Sequence, residues 1–421
     1  MSLKEDILKT VLEHYIDSHD YNGIPAVKLA EINKLAHSNL EIMLTDLIKE
    51  DKITLTFASV SENPFIKRFP DLTIDKQIEN LELSPLNEIC IYPSSNILSS
   101  IDCSKYNNVP FSKMLFLGDY QLKAVFFDPI VLESYFQDPR YIIVNRDYFG
   151  NISISNSFFN SDEVSDKDKI VLQSFGIGYT TKTDEKVIVG LLRYLSHLSP
   201  EHQQRWHSHI VLEECVVEQD YVKNISGIWN THTSIYTAFI EELYHISEIS
   251  KLMGREPLFK QTFKDSKPRN FTPLLRPTLK NYNEFVHLLD KMLSDNINKK
   301  FFGNEIPLET ETIRSDGKIL VRDKGTITLL DEWMKTNIEF QDETAYSTIL
   351  DPIRKVRKER QKPAHNVQED VFDKTYYAKQ KELIISVYNS LRTIRLLFMD
   401  HPSAGNYKVP NWLDKGKIKV Y

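Results

Sequence analysis

Ile7, Leu8, Val11, Leu12, Tyr15 and Ile16 recur at the three-to-four-residue spacing of one helix face. The spacing predicts an opening helix that ends before Gly23-Ile24-Pro25, followed by a short second helix over 26–34. Ser38 is placed to cap a third helix with apolar positions Leu40, Met43, Leu44, Leu47 and Ile48. The stretch from Asp51 to Phe69 then alternates as a strand does, turns at Ser61-Glu62-Asn63-Pro64 and returns as a wing. Three helices followed by a hairpin predict a winged-helix-like domain over 1–72, an arrangement common among DNA readers.

The pattern changes after that. Residues 87–94 and 122–128 read as strands, 129–139 as a helix opened by Pro129, and 141–155 as two strands joined near Phe149-Gly150-Asn151. Residues 185–198 and 234–254 read as amphipathic helices, the second ended by Gly254. Gly176-Ile177-Gly178 reads as a strand that needs small residues. These segments predict a central mixed α/β domain over 73–267. Three prolines mark 268–277 as a linker. Beyond it, Leu279, Tyr282, Phe285, Val286, Leu289 and Leu293 share a helix face, and three more helical segments follow a polar insertion at 303–318. Each helix must bury its stripe on a neighbour, which predicts a helical bundle over 278–400 with a C-terminal tail over 401–421. The fold class expected is multi-domain α+β.

At 421 residues the chain exceeds what one hydrophobic core organises. No apolar run approaches the roughly 18–20 residues of a membrane span, and the charged start MSLKEDILKT lacks the apolar stretch of a signal peptide. Cys90, Cys103 and Cys215 are dispersed and odd in number, so neither a disulfide framework nor a thiolate metal site is expected. The expected setting is soluble and cytoplasmic, with no membrane partner. The net charge of −7 is uneven: from residue 351 onward 15 Lys and Arg face 8 Asp and Glu, a net of +7, which leaves −14 on the preceding residues. A basic C-terminal part on an acidic body favours a polyanion-facing surface there. The third N-terminal helix, by contrast, carries Glu41, Asp46 and Glu50 against Lys49, so Lys67 and Arg68 are the only candidate DNA-binding cations at the wing.

Candidate chemistry is sparse. His197, His202, His207 and His209 cluster, and Glu242 stands three residues before His245, but the second Glu-x-x-His of a di-iron bundle is absent. No phosphate-binding Gly-Lys-Ser/Thr loop or Gly-x-Ser-x-Gly nucleophile occurs. No metal and no cofactor are expected.

The stretch Arg357-Lys-Glu-Arg-Gln-Lys-Pro-Ala-His365 carries more. Ile349, Ile353, Val356 and Arg360 follow one line of a helix, so Arg360 continues a buried stripe, where a guanidinium must meet an anion or face a cleft. Pro363 ends or kinks the helix and allows His365 to swing back towards Arg360. A guanidinium beside an imidazole suits phosphodiester chemistry: the fork stabilises charge on phosphate oxygens and the imidazole moves a proton near neutral pH. A second spacing, Arg395 to His401, is followed by Leu396 and an apolar helix end, so Arg360 and His365 are preferred.

Arg360, polar Gln361, the spacer Lys362-Pro363-Ala364 and His365, set in a helical bundle, resemble the motif of HEPN domains. The resemblance covers about 278–400 and implies a metal-independent ribonuclease, as in toxins and defence effectors. It implies cleavage by 2′-hydroxyl attack with Arg360 and His365 catalytic, and a homodimer. Arg357, Lys358, Gln361 and Lys362 are the expected RNA-backbone contacts, and Tyr376 or Tyr377 the stacking residues. The alternative is a non-catalytic regulator whose winged helix binds DNA or protein and whose bundle dimerises.

Overall fold

The computed structural model describes every residue except 1–2, 19, 62, 229–231, 314–317, 341–343 and 362–368. The architecture is mixed α and β in two compact units, one formed by 1–144 with 149–222 and the other by 145–148 with 223–421.

In the first unit, helices Leu3–Asp17, Ala26–Asn33 and His37–Lys49 stand where the apolar spacing puts them. Ile7 and Val11 meet Leu40, Leu44, Leu47 and Ile48 in one core. Ser38 does not cap the third helix: Ala36 occupies that position without a side-chain bond. Among the described residues of 61–69 the predicted return strand of the wing is absent. Ile53–Phe57 pairs antiparallel with Ile89–Pro93, Leu55 opposite Ile91, and the helix Ile74–Leu83 lies between them in sequence. Side chains occupy the other edge of Ile53–Phe57. The Leu55 N–H donates to Gln77 Oε1 at 2.9 Å, Gln77 Nε2 donates to the Leu72 carbonyl at 2.7 Å, and Thr56 Oγ1 donates to the Pro64 carbonyl at 2.6 Å. Gln77 thus covers the Leu55 amide on the edge where a return strand would pair. Leu81, Ile89 and Ile91 join the three-helix core, so this packed body runs past residue 72.

A second sheet follows with strand order Ala124–Phe127, Lys186–Leu191, Val171–Thr180, Phe149–Ile154 and Tyr141–Arg146, and Cys215–Val217 also pairs with Val171–Thr180. Residues 186–191 are strand rather than the helix their amphipathic reading predicts. Val187, Ile188 and Val189 are all buried, so β-branched side chains packed on both faces override the helical spacing. Gly176 and Gly178 are close-approach positions: a Cβ on Gly176 would lie 2.2 Å from the Tyr221 ring, and one on Gly178 2.6 Å from the Val216 carbonyl.

In the second unit, helices Ile235–Leu252, Leu279–Met292, Thr326–Asn337, Thr344–Gln361 and Thr375–Met399 share one core. The helix Ile235–Leu252 therefore belongs with the helices after residue 278. The proline-rich 268–277 is packed rather than a free linker. Phe271, Leu274 and Leu275 are buried, and Gln380 bonds the backbone of Leu274 and Thr272. The polar insertion carries the first strand of an exposed antiparallel ribbon, Glu309–Ile313, which pairs with Ile319–Asp323 just beyond it. Residues 401–421 are no loose tail either: Leu413 is buried, and Ile418–Lys419 pairs parallel with Thr233–Ser234. Among the described residues no helix is long and apolar enough to cross a membrane.

Candidate functional site

The helix Thr344–Gln361 buries Tyr346, Ile349, Leu350, Ile353 and Val356, and the line Ile349-Ile353-Val356 leads to Arg360 near its C-terminal end. Opposite runs the helix Leu279–Met292, with Tyr282, Phe285, Val286, Leu289 and Met292 buried. Asp290 follows Val286 by four positions and so falls on the same buried face. It is 0% exposed. A carboxylate in that position requires compensation, and two arginines supply it. Arg357 Nη1 donates to Asp290 Oδ2 at 2.7 Å and Arg360 Nη1 to the same oxygen at 2.5 Å. The Ser294 hydroxyl also donates to Asp290.

Past the helix, a single 3-10 turn, Ser294–Asn296, brings Asp295 to the same guanidinium groups. Arg357 Nη1 donates to Asp295 Oδ1 and Arg360 Nη1 to Asp295 Oδ2, both at 2.8 Å. Partial burial pushes the Asp295 carboxyl up, but the bonds from Arg357 and Arg360 outweigh it and hold it below the ordinary carboxylate range. His287 stands one turn before Asp290 on the exposed side of this face. Partial burial first, then the charges of Lys291 and Arg360, lower its pKa, against the pull of Asp290 and Asp295. The result is two arginines, two aspartates and a histidine within one end of the bundle.

The other expected site residues distribute unevenly. Arg357 and Arg360 converge, whereas Lys358 and Gln361 point to solvent from the same helix. Lys362 and His365 lie outside the described residues. Tyr376 stacks on Tyr282 with ring centroids 5.1 Å apart, and Lys379 sits 4.4 Å over its ring. The Tyr377 hydroxyl is committed to the Leu275 carbonyl at 2.8 Å. In the first unit, Lys67 is not a surface cation. It is 3% exposed, its Nζ donates to the Gly118 carbonyl at 2.9 Å, and it pairs with Asp71 at 2.7 Å. Arg68 is half-buried, with its guanidinium 5.4 Å from the Phe69 ring.

The rival clusters resolve into separate networks. Arg395 is fully buried and its Nε donates to Glu242 Oε2 at 2.6 Å, while His401 accepts from the Ser403 N–H at 3.2 Å. His245 Nδ1 meets the Tyr407 hydroxyl at 2.7 Å, and His202 Nδ1 the Tyr135 hydroxyl at 2.6 Å. His197 Nε2 meets Asp20 Oδ1 at 2.7 Å. Among the described residues, no group of three His, Cys, Asp or Glu side chains is arranged to hold a metal ion.

Asp290, Asp295 and His287 were not singled out from the sequence. A signal for Asp290 exists there: it interrupts the apolar line of its helix as Arg360 does on the other. Nothing in sequence marks Asp295 or His287. No family model, curated protein or solved structure matches the chain.

Proposed function

We propose that the C-terminal bundle is a metal-independent endoribonuclease of the HEPN type, acting as a cytoplasmic homodimeric toxin or defence effector on RNA. One observation carries the reading: Arg357 and Arg360 converge, only partly buried, at the end of the helix that leads directly into the segment bearing His365. Asp290 beneath them fixes the direction of both guanidinium groups. A preoriented fork stabilises negative charge that develops on phosphate oxygens without reorganising during the reaction.

In this chemistry the ribose 2′-oxygen bonds to phosphorus and the P–O5′ bond breaks. The 2′-hydroxyl proton passes to a base and the leaving oxygen receives one from an acid. The products are a 2′,3′-cyclic phosphate and a 5′-hydroxyl. Arg360 is assigned to the phosphate, and His365 to proton transfer. Arg357, Lys358 and Gln361 are assigned to the RNA backbone on either side.

A second reading also has an observation in its favour. Asp290 and Asp295 together match the charges of Arg357 and Arg360, so the cluster is electrically complete as a clamp between two helices. On that reading the bundle is non-catalytic and dimerises, and the N-terminal unit meets DNA or protein, with Arg68 the more exposed of the two wing cations.

Incubation of the purified chain with RNA in excess EDTA separates the two, run beside Arg360→Ala and His365→Ala. The nuclease reading requires wild-type cleavage to 2′,3′-cyclic phosphate ends and at least a hundredfold loss, roughly, in both variants. RNA left intact by all three favours the clamp.

A further inference from the structure

We infer that Arg357 and Arg360 form a built site for one RNA phosphate, and that Asp295 is its internal occupant, a carboxylate that the phosphate displaces. The inference rests on the proposal that this surface meets RNA.

The two aspartates hold the arginines in different ways. Asp290 is wholly buried and offers one oxygen, Oδ2, to both guanidinium groups. Asp295 is 41% exposed and divides its oxygens, Oδ1 to Arg357 and Oδ2 to Arg360. A planar anion bridging two guanidinium groups with one oxygen each has the geometry that two non-bridging phosphodiester oxygens take on an arginine pair. Asp290 is thus the anchor, and Asp295 fills the outer face where a ligand would arrive.

The charges agree. A phosphodiester carries one negative charge, as the Asp295 carboxylate does, so exchange leaves the cluster balanced. The displaced carboxylate can be hydrated at once, because it already borders solvent. The turn that carries it need not move. Asn296 anchors the backbone there through Nδ2 bonds to the Gln261 and Met292 carbonyls at 2.7 and 3.1 Å, so rotation of the Asp295 side chain suffices. His287 and Lys291 are both exposed on the adjoining helix, and His287 lies close enough to Arg360, Asp290 and Asp295 to feel their charges. The resting state is then an occupied site, and RNA competes with an internal anion.

The test is binding rather than cleavage. A fluorescein-labelled 2′-O-methyl oligoribonucleotide, which lacks the attacking hydroxyl, is titrated with the full chain in EDTA and followed by anisotropy. Asp295→Asn is compared with Asp323→Asn, which removes the same charge from an exposed ribbon position paired with Lys299. We expect Asp295→Asn to bind about tenfold more tightly than Asp323→Asn, the scale of one charge-assisted contact. The gain should vanish in Asp295→Asn/Arg357→Ala. Equal affinity of the two single variants, or no binding by either, overturns the inference. In unmutated protein the Arg357 and Arg360 Nε–H NMR signals must move when the oligonucleotide is added, and unmoved signals overturn it without any variant. RNA bound more tightly by Asp295→Asn but never cleaved by wild type would remove the nuclease reading and leave this site standing. Cleavage with no gain on Asp295→Asn would do the reverse.

Discussion

At the scale of single residues, the two ion-paired clusters of the second unit have different energetic roles. Glu242 and Arg395 are both fully buried, joined through Arg395 Nε, and Glu242 Oε1 and Arg395 Nη2 have no hydrogen-bond partner among the described residues. Burial pushes the Glu242 carboxyl up, and the Arg395 bond and charge oppose that. Removal of one partner leaves an uncompensated charge in a fully buried position, so Glu242→Ala should cost about 3–5 kcal/mol. The apolar pair Glu242→Leu/Arg395→Met should recover most of it, as buried ion pairs often contribute little against a hydrophobic equivalent. Asp290 is equally buried, but its arginines reach water, so Asp290→Asn should cost less, about 1–3 kcal/mol. Asp295→Asn at the surface should stay within about 1 kcal/mol. Urea unfolding of the four variants ranks these costs directly. A loss at Asp295 as large as that at Asp290 would mean that both aspartates are structural, and the distinction between anchor and occupant would fail.

At the scale of elements, the edge of Ile53–Phe57 explains both a prediction and a misreading. Gln77, 4% exposed, bonds the Leu55 N–H and the Leu72 carbonyl, replacing part of a missing strand with one side chain. Gln77→Ala leaves a buried donor, the Leu55 N–H, and a part-buried acceptor, the Leu72 carbonyl, without these bonds, and should destabilise the first unit by about 1–3 kcal/mol. Hydrogen exchange of the Leu55 amide is the local check: unchanged protection in the variant would show that the edge is satisfied otherwise. The helices around this strand were legible because a repeat near 3.6 residues is a local property, and Ile7, Val11, Leu40 and Leu44 are buried where that repeat puts them. The strand's partner was not, since Ile89–Pro93 lies beyond a whole helix and pairing is decided by tertiary contact. Lys186–Leu191 failed differently: burial on both faces removes the alternation that tells strand from helix. The candidate site was half legible. Arg360 was marked by its place on an apolar line, but its partner Asp290 stands 70 positions earlier, and no local pattern links them.

At the scale of the whole molecule, each unit encloses, among the described residues, one deeply buried histidine held neutral. In the first, burial and then the nearby Arg205 charge pull His202 down to about 4, and its ring bonds the Tyr135 hydroxyl. In the second, burial and then the charges of Lys264 and Arg395 pull His245 down to about 4, and its ring bonds the Tyr407 hydroxyl. Both folded values lie below the unfolded value of about 6.5. Between those limits the unfolded chain binds a proton that the folded chain does not, so stability is fully present above about pH 6.5 and falls as pH drops towards 4. His14 and His287 are also lowered and act in the same direction, though both are less enclosed. Each buried histidine should contribute about 1–3 kcal/mol of acid sensitivity. That range lies above the pH at which carboxylates held low, such as Asp20 and Asp295, begin to protonate. His202→Gln should therefore flatten the pH dependence of the first unit alone, and His245→Gln that of the second alone. Hydrogen exchange resolved along the chain at pH 7 and pH 5 separates the two responses. If opening free energies fall equally in wild type and both variants, these histidines are not the source of the acid sensitivity. If each variant protects only its own unit, the two cores titrate independently, and protein handled near pH 5 would lose packing in both at once.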